Sequence, residues 1–333
     1  LNALMVPRPL HLIYNTEDTC CFVASTVKAN TYEPVIPFYK QAGVPGRLSY
    51  YENSDPGTHN YDRDNREQLY AFLKKHFVPD AKWSTAEIPS EDEILSHEAL
   101  NVELPKNNAD FHSLAAGIAK DLPRPLGGTR RDQREHLRTT LRFEDDVIAK
   151  QTSVAKSIGG KLRVESRVLR SGRGWNIPVR IVESKDLPAD AANILYFSDT
   201  GSMDKAKLTA MAESAKRVIA VDPVLLGQNT PSGILYQHAM LVATVGERAL
   251  AIQVAQVLAV AREFGGAVEV QCSGPRSSLI ARCAAAIDGG TLIESVKAEN
   301  EPESLKQFIA ASGDYSVTPE AYCFGLLQHF DVP

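Results

Sequence analysis

Residues 247–264 form a helix-length run that is apolar on nearly every side, and this run constrains the chain more than any other feature. A surface helix carries one apolar stripe, whereas a helix apolar all round must be covered all round. Its apolar centre, 249–261, follows Glu247 and Arg248 and falls short of the ~20 residues of a membrane span. It is therefore expected inside the packed layers of a globular fold. Hydrophobic residues at 44% and charged residues at 23% provide a core of ordinary size. Around this helix, strand-like runs at 162–169, 177–182, 193–197, 217–221, 267–272 and 291–295 alternate with helical segments. Such alternation predicts an α/β fold with a mostly parallel sheet covered by helices on both faces. Ser171-Gly172-Arg173-Gly174 reads as a turn between antiparallel strands.

The first part of the chain has its own pattern. Short strands are expected at 10–14 and 48–52. Each ends in a polar loop, Asn15-Thr16-Glu17-Asp18 and Asn53-Ser54-Asp55-Pro56-Gly57-Thr58-His59. A helix follows, capped by Asp62 or Asp64, with Leu69, Phe72, Leu73 and Phe77 on one stripe. From 79 to 150, Pro89, Pro105, Pro123 and Pro125 punctuate a polar connector with helices near 109–120 and 130–142. This gives three parts: 1–78, 79–150 and 151–333. Two open half-sheets would expose long edges, so the strands of 1–78 and 151–333 are expected to merge into one sheet in permuted order. Strand 10–14 would then pair with a strand from 160–300, in the same molecule or in the partner of a homodimer with exchanged halves.

Charge and cysteine content exclude several classes of function. With 36 Lys and Arg against 41 Asp and Glu, the formal charge of −5 fits neither a basic nucleic-acid binder nor a disordered acidic segment. Five cysteines, odd in number and sparse, do not make a disulfide framework, and the thiols are expected reduced and mostly buried. Pro7 and Pro9 interrupt the apolar N-terminal stretch, so it does not read as a signal peptide, and the compartment stays open. His97, His112, His136, His238 and His329 lack metal-ligand spacing, and Gly159-Gly160 and Gly289-Gly290 read as turns. No metal, cofactor, nucleic-acid or membrane partner is expected.

Chemistry in open α/β sheets gathers at the carboxyl ends of strands, where Asp18 and His59 both fall. Acid before histidine is the order of the last two members of an α/β-hydrolase triad, whose serine comes earlier in the chain. The carboxylate fixes the imidazole tautomer while the imidazole takes the proton of a nucleophile. On pattern alone, an Asp and a His in surface loops need no such role. The segments Arg8-Pro9-Leu10-His11-Leu12-Ile13-Tyr14-Asn15-Thr16-Glu17-Asp18 and Asp55-Pro56-Gly57-Thr58-His59, with the helix after them, resemble the C-terminal part of acetyl xylan esterase-like α/β-hydrolases. The resemblance covers roughly 1–78 and implies that Asp18 and His59 are triad members.

The serine is harder to place. The chain has no G-x-S-x-G, and the matching strand–turn–helix is 267–272, Ser273-Gly274-Pro275-Arg276-Ser277, and a helix from Ser278. With Cys272 at the first small position, the nucleophile position falls on Gly274 and Arg276 stands where a small residue belongs. With Ser273 as nucleophile, Gln271 and Pro275 flank it. Ser273 is the first candidate and Ser277 or Ser278 lesser ones; a degenerate elbow kept for packing is an equal alternative. Residues 233–333 also look similar to the N-terminal portion of the second repeat in tandem members of that family, which often lacks the nucleophile. Cys20 and Cys21 are weaker nucleophile candidates, because the nearby carboxylate disfavours a thiolate. Asp199-Thr200-Gly201-Ser202 is either an oxyanion-hole loop or a plain turn. The whole points to hydrolysis of small carboxylic esters, acetylated carbohydrate among them, through Asp18, His59 and Ser273. The alternative is a hydrolase-like module without catalysis.

Overall fold

The structure, a computed structural model, describes residues 1–332 apart from 189, 203, 214, 215 and 312. It divides into two compact units, Leu1–Leu104 and Pro105–Pro333, with the boundary inside the stretch read as a connector.

In the first unit, β1 (Leu10–Asn15) and β2 (Leu48–Asn53) pair in parallel, register running from Leu10 opposite Leu48 to Asn15 opposite Asn53. The helix α1 (Arg63–Phe77) follows β2, and its Phe72 stacks on His11 of β1 at 5.3 Å between ring centres. The matched register brings the two strand ends, and so the two polar loops, to the same edge.

The second unit opens with α2 (Phe111–Ala119) and α3 (Arg130–Leu141), each started by a capping box, from Asp110 and Thr129. Its strands are β3 (Ile148–Gly159), β4 (Leu162–Ser171), β5 (Asn176–Ser184), β6 (Asn193–Ser198), β7 (Arg217–Val221), β8 (Val268–Ser273) and β9 (Ile293–Glu299). They form one sheet in the order β3-β4-β5-β7-β6-β8-β9. The expected mostly parallel sheet is corrected here to a mixed one. The pairs from β3 through β5 to β7 are antiparallel, and those from β7 through β6 and β8 to β9 are parallel. Short turns such as that at Ser171–Gly174 can only join antiparallel neighbours, whereas parallel strands need a crossover. The crossovers are α4 (Lys205–Ala212), the pair α5 (Leu235–Thr244) and α6 (Ala249–Phe264), and α7 (Pro275–Asp288).

Helices cover both faces, as the alternation along β6 requires. Leu195 and Phe197 pack in one core with residues of α6 and α7, while Tyr196 packs on the other face with Leu208 and Ala212 of α4. Every residue from Ala249 to Ala261 is buried, which answers the all-round apolar pattern. Among the described residues the strands form two sheets, of two and seven, and not the single merged sheet expected from the sequence. β3 went unread because it is a sheet edge whose residues are largely exposed, so it carries no apolar alternation.

One polar network crosses this apolar interior. Arg276 of α7 donates from Nε and Nη2 to the two oxygens of Glu320 at 2.8 and 2.7 Å, and from Nη2 to the carbonyl of Leu225. Gln253 of α6 donates to Glu320 at 2.7 Å and to the carbonyl of Val224. Both members of the ion pair are buried, so the loss of one strands the other in low dielectric. Glu320→Ala is expected to cost about 3–5 kcal/mol in urea unfolding, and Arg276→Met with Glu320→Leu to recover much of it.

Candidate functional site

Asp18 lies in the loop after β1, 5% exposed. Its Oδ1 accepts the amides of Cys20 at 2.7 Å and Cys21 at 3.2 Å, and its Oδ2 lies 3.0 Å from Nδ1 of His59. A carboxylate only accepts, so this contact assigns the proton to Nδ1 and leaves the lone pair of the imidazole on Nε2. The His59 side chain is 61% exposed, so its outer edge is open to solvent. The hydrogen bond from His59, then that from the Cys20 amide, hold the Asp18 carboxyl below its usual value. The pair therefore has the form of an oriented base: a clamped, ionised carboxylate behind an accessible imidazole.

The two loops are tied together at their roots. The amide of Thr16 donates to the carbonyl of Asn53 and that of Glu17 to the carbonyl of Gly57, at 2.9 and 2.8 Å. Gly57 has φ +71°, and a Cβ there would stand 2.7 Å from the Thr16 hydroxyl, so both backbone shape and space call for glycine. Beneath the loops lies a set of asparagines that the sequence reading missed. Asn15 Oδ1 accepts from Asn53 at 3.2 Å and from Asn65 at 2.9 Å, and Asn15 donates to the carbonyl of Asn60 at 2.9 Å. Asn15, Asn53 and Asn65 are buried, so they fix the loop that carries His59. The only hint in the sequence was that both expected strands run into an asparagine.

The cysteines beside Asp18 are exposed, which corrects the expectation of mostly buried thiols; Cys272 and Cys283 are buried. The Cys20 thiol is pushed up, first by its hydrogen bond with Cys21, so a thiolate nucleophile is disfavoured.

The elbow-like turn belongs to the second unit. Ser273 ends β8, Gly274 follows with φ +112°, and α7 begins at Pro275. The left-handed backbone position where a strand–turn–helix elbow carries its nucleophile is thus a glycine. Ser273 stands opposite Glu299 in the β8–β9 pair, and the Glu299 carboxyl is held below its usual value first by its hydrogen bond with Lys207. The one hydroxyl proton of Ser277 is shared between Asp199 and the carbonyl of Ser273, at 2.7 and 2.8 Å, and Ser278 donates to the carbonyl of Gly274, so both hydroxyls are engaged in the helix start. Arg276 fits because its side chain turns inward to Glu320.

Asp199 supplies a side chain rather than an oxyanion-binding amide. Its carboxylate accepts the amides of Arg276 and Ser277 at 3.1 and 2.7 Å. These amides open α7 and would face a developing oxyanion in a working elbow. A Cβ on Gly274 would lie 2.4 Å from the Asp199 carboxyl carbon.

No family model matches the chain, and no curated protein matches it in sequence. Similar solved structures include a candidate acetyl xylan esterase from Bacteroides fragilis, at TM-score 0.46 and 9% identity over 58% of this chain and 62% of that one. Acetyl xylan esterase 1 from Thermoanaerobacterium is similar at TM-score 0.38 and 14% identity, over 54% and 61% of the two chains. A glucuronoyl esterase from Solibacter usitatus is similar at TM-score 0.39 and 9% identity, over 57% and 65%. This chain spans less than two thirds of each. Likeness at this level bears on neither substrate nor site residues.

Two consequences can be measured. A carboxyl held below its unfolded value of ~3.9 contributes stability above about pH 4 that is lost as pH falls through the folded value. Calorimetry from pH 7 to 3 is expected to show a weaker acid dependence for Asp18→Asn than for the wild type. Gly274→Ala is expected to cost about 2 kcal/mol or more in urea unfolding, because it combines a left-handed backbone with a clash against Asp199.

Proposed function

We propose that this chain acts in the hydrolysis of small carboxylic esters, acetylated carbohydrate among them, with His59 as general base and Asp18 as the group that orients it. The observation that carries this reading is the 3.0 Å contact between His59 Nδ1 and the buried Asp18 carboxylate. The resemblance of 1–78 to the C-terminal part of acetyl xylan esterase-like hydrolases supports it. In this reading His59 Nε2 takes the proton of the attacking hydroxyl or water and returns it to the departing alcohol. Asp18 meanwhile stabilises the imidazolium without itself being protonated. Ser273 is the proposed nucleophile from the sequence pattern, at the carboxyl end of β8.

A second reading, a hydrolase-like module without catalysis, is favoured by one specific feature. Gly274 stands at the elbow, and Asp199 fills the amides beside it. Initial rates on a short-chain nitrophenyl ester separate the two. The esterase reading expects His59→Ala and Asp18→Asn to lower kcat by about 10²–10⁴-fold. Wild-type rates at the level of the blank, or full activity in His59→Ala, would overturn it. Ser273→Ala is expected to lose several orders of magnitude if its hydroxyl is the nucleophile and little if it is a bystander.

A further inference from the structure

A cleft of about 620 Å³ opens in the second unit between the turn at 123–126, one side of α3, the C-terminal end of α7 and the segment 326–330. We infer that it is a binding site for a small organic anion with an apolar body, a carboxylate or a phosphate monoester. This goes beyond the ester-hydrolysis reading and does not depend on it.

Charge is the first ground. Arg124, Arg130 and Arg134 line the cleft with His136 and His329, and among the described residues no Asp or Glu does. Among the described residues, none of the three guanidinium groups makes a hydrogen bond or ion pair within the protein, although most other arginines of the chain do. Three like charges converging on a concavity without a counter-charge leave room for one from outside.

Arg134 is the second ground. Its Nε is buried and has no acceptor. The guanidinium lies over Gly289, where a Cβ would come within 1.7 Å of Nη2, so the glycine makes the place in which it sits. Buried N–H groups are rarely left unpaired, and the guanidinium fork matches the two oxygens of a carboxylate or phosphate. An entering oxyanion would supply the acceptors that the protein does not.

The walls are built and held. His329 Nδ1 donates to the carbonyl of Arg124 at 3.2 Å, the amide of Arg124 donates to Gln328, and Gln133 donates to the carbonyl of Leu126 at 3.0 Å. The turn is pinned from both sides, so the cleft does not depend on a loose loop. Leu137 and Leu326 are buried, and with Ala285, Ala286 and Phe330 they give it an apolar lining. A volume in the usual range of small-molecule sites, apolar surface and a few converging cations fit an amphiphilic anion better than a bare ion.

Isothermal titration of the full chain with 4-butylbenzoate, phenyl phosphate and inorganic phosphate tests the inference. At least one organic anion is expected to bind at one site with a Kd below about 1 mM, and inorganic phosphate about tenfold more weakly or not at all. Arg134→Met is expected to weaken binding about tenfold or more. Arg134→Lys, which keeps the charge but loses the fork, is expected to fall between it and the wild type. Tighter binding of the benzoate identifies a carboxylate ligand, and tighter binding of phenyl phosphate a phosphate monoester. Unfolding midpoints check that the variants fold; if Arg134→Met does not, Arg130→Gln at an exposed position carries the test with the same expected direction. Failure of both organic anions to saturate, or wild-type affinity in the folded variants, would overturn the inference.

Discussion

At the carboxyl ends of the strands, buried or half-buried carboxylates gather the backbone amides of the loops, and the remaining loop geometry follows from them. Asp199 after β6 accepts the amides of Arg276 and Ser277. Asp222 after β7 accepts the amide and hydroxyl of Ser202 on one oxygen and the amide of Gln228 on the other. Asp18 after β1 accepts the amides of Cys20 and Cys21. An amide left dry is costly, and a charged acceptor makes a stronger bond than a neutral one, so one carboxylate can hold several turns at once.

Close approach of a carboxylate to backbone dictates glycine beside it. A Cβ on Gly274 would overlap Asp199, and one on Gly227 would lie 2.3 Å from the Asp222 carboxyl. Both glycines also have positive φ. At Gly274 this has a chemical consequence, because the position that would carry a nucleophile is the one the carboxylate keeps free of a side chain.

Asp18 differs from the other two in what its oxygens do. Both oxygens of Asp199 and of Asp222 are taken by the loops they hold. In Asp18 the backbone takes one oxygen and His59 the other. That difference separates a carboxylate that only builds a loop from one that also holds an imidazole. It makes the Asp18–His59 pair the chemically distinctive feature of the first unit.

The sequence by itself determined the elements whose burial pattern is regular. The all-round apolar helix, the strands at 193–197 and 217–221 and the hairpin around Ser171–Gly174 could each be read along the chain, because a continuous apolar run or a turn signal marks each; the stripe expected on α1 is not a buried one, since Leu73 and Phe77 are exposed. Asp18 and His59 could be read as candidates from their place after two strands. Tertiary structure alone decided three other things. It brought Asn15, Asn53 and Asn65 under the His59 loop, because asparagines far apart in sequence meet only once β1 and β2 pair in register. It turned Arg276 inward, because its partner Glu320 lies 44 residues away. It put the Asp199 carboxylate against Gly274, because β6 and β8 are neighbours in the sheet although 69 residues, β7 among them, separate them in the chain. Local period is written along the chain, whereas a polar contact between distant segments exists only after the sheet order has been set.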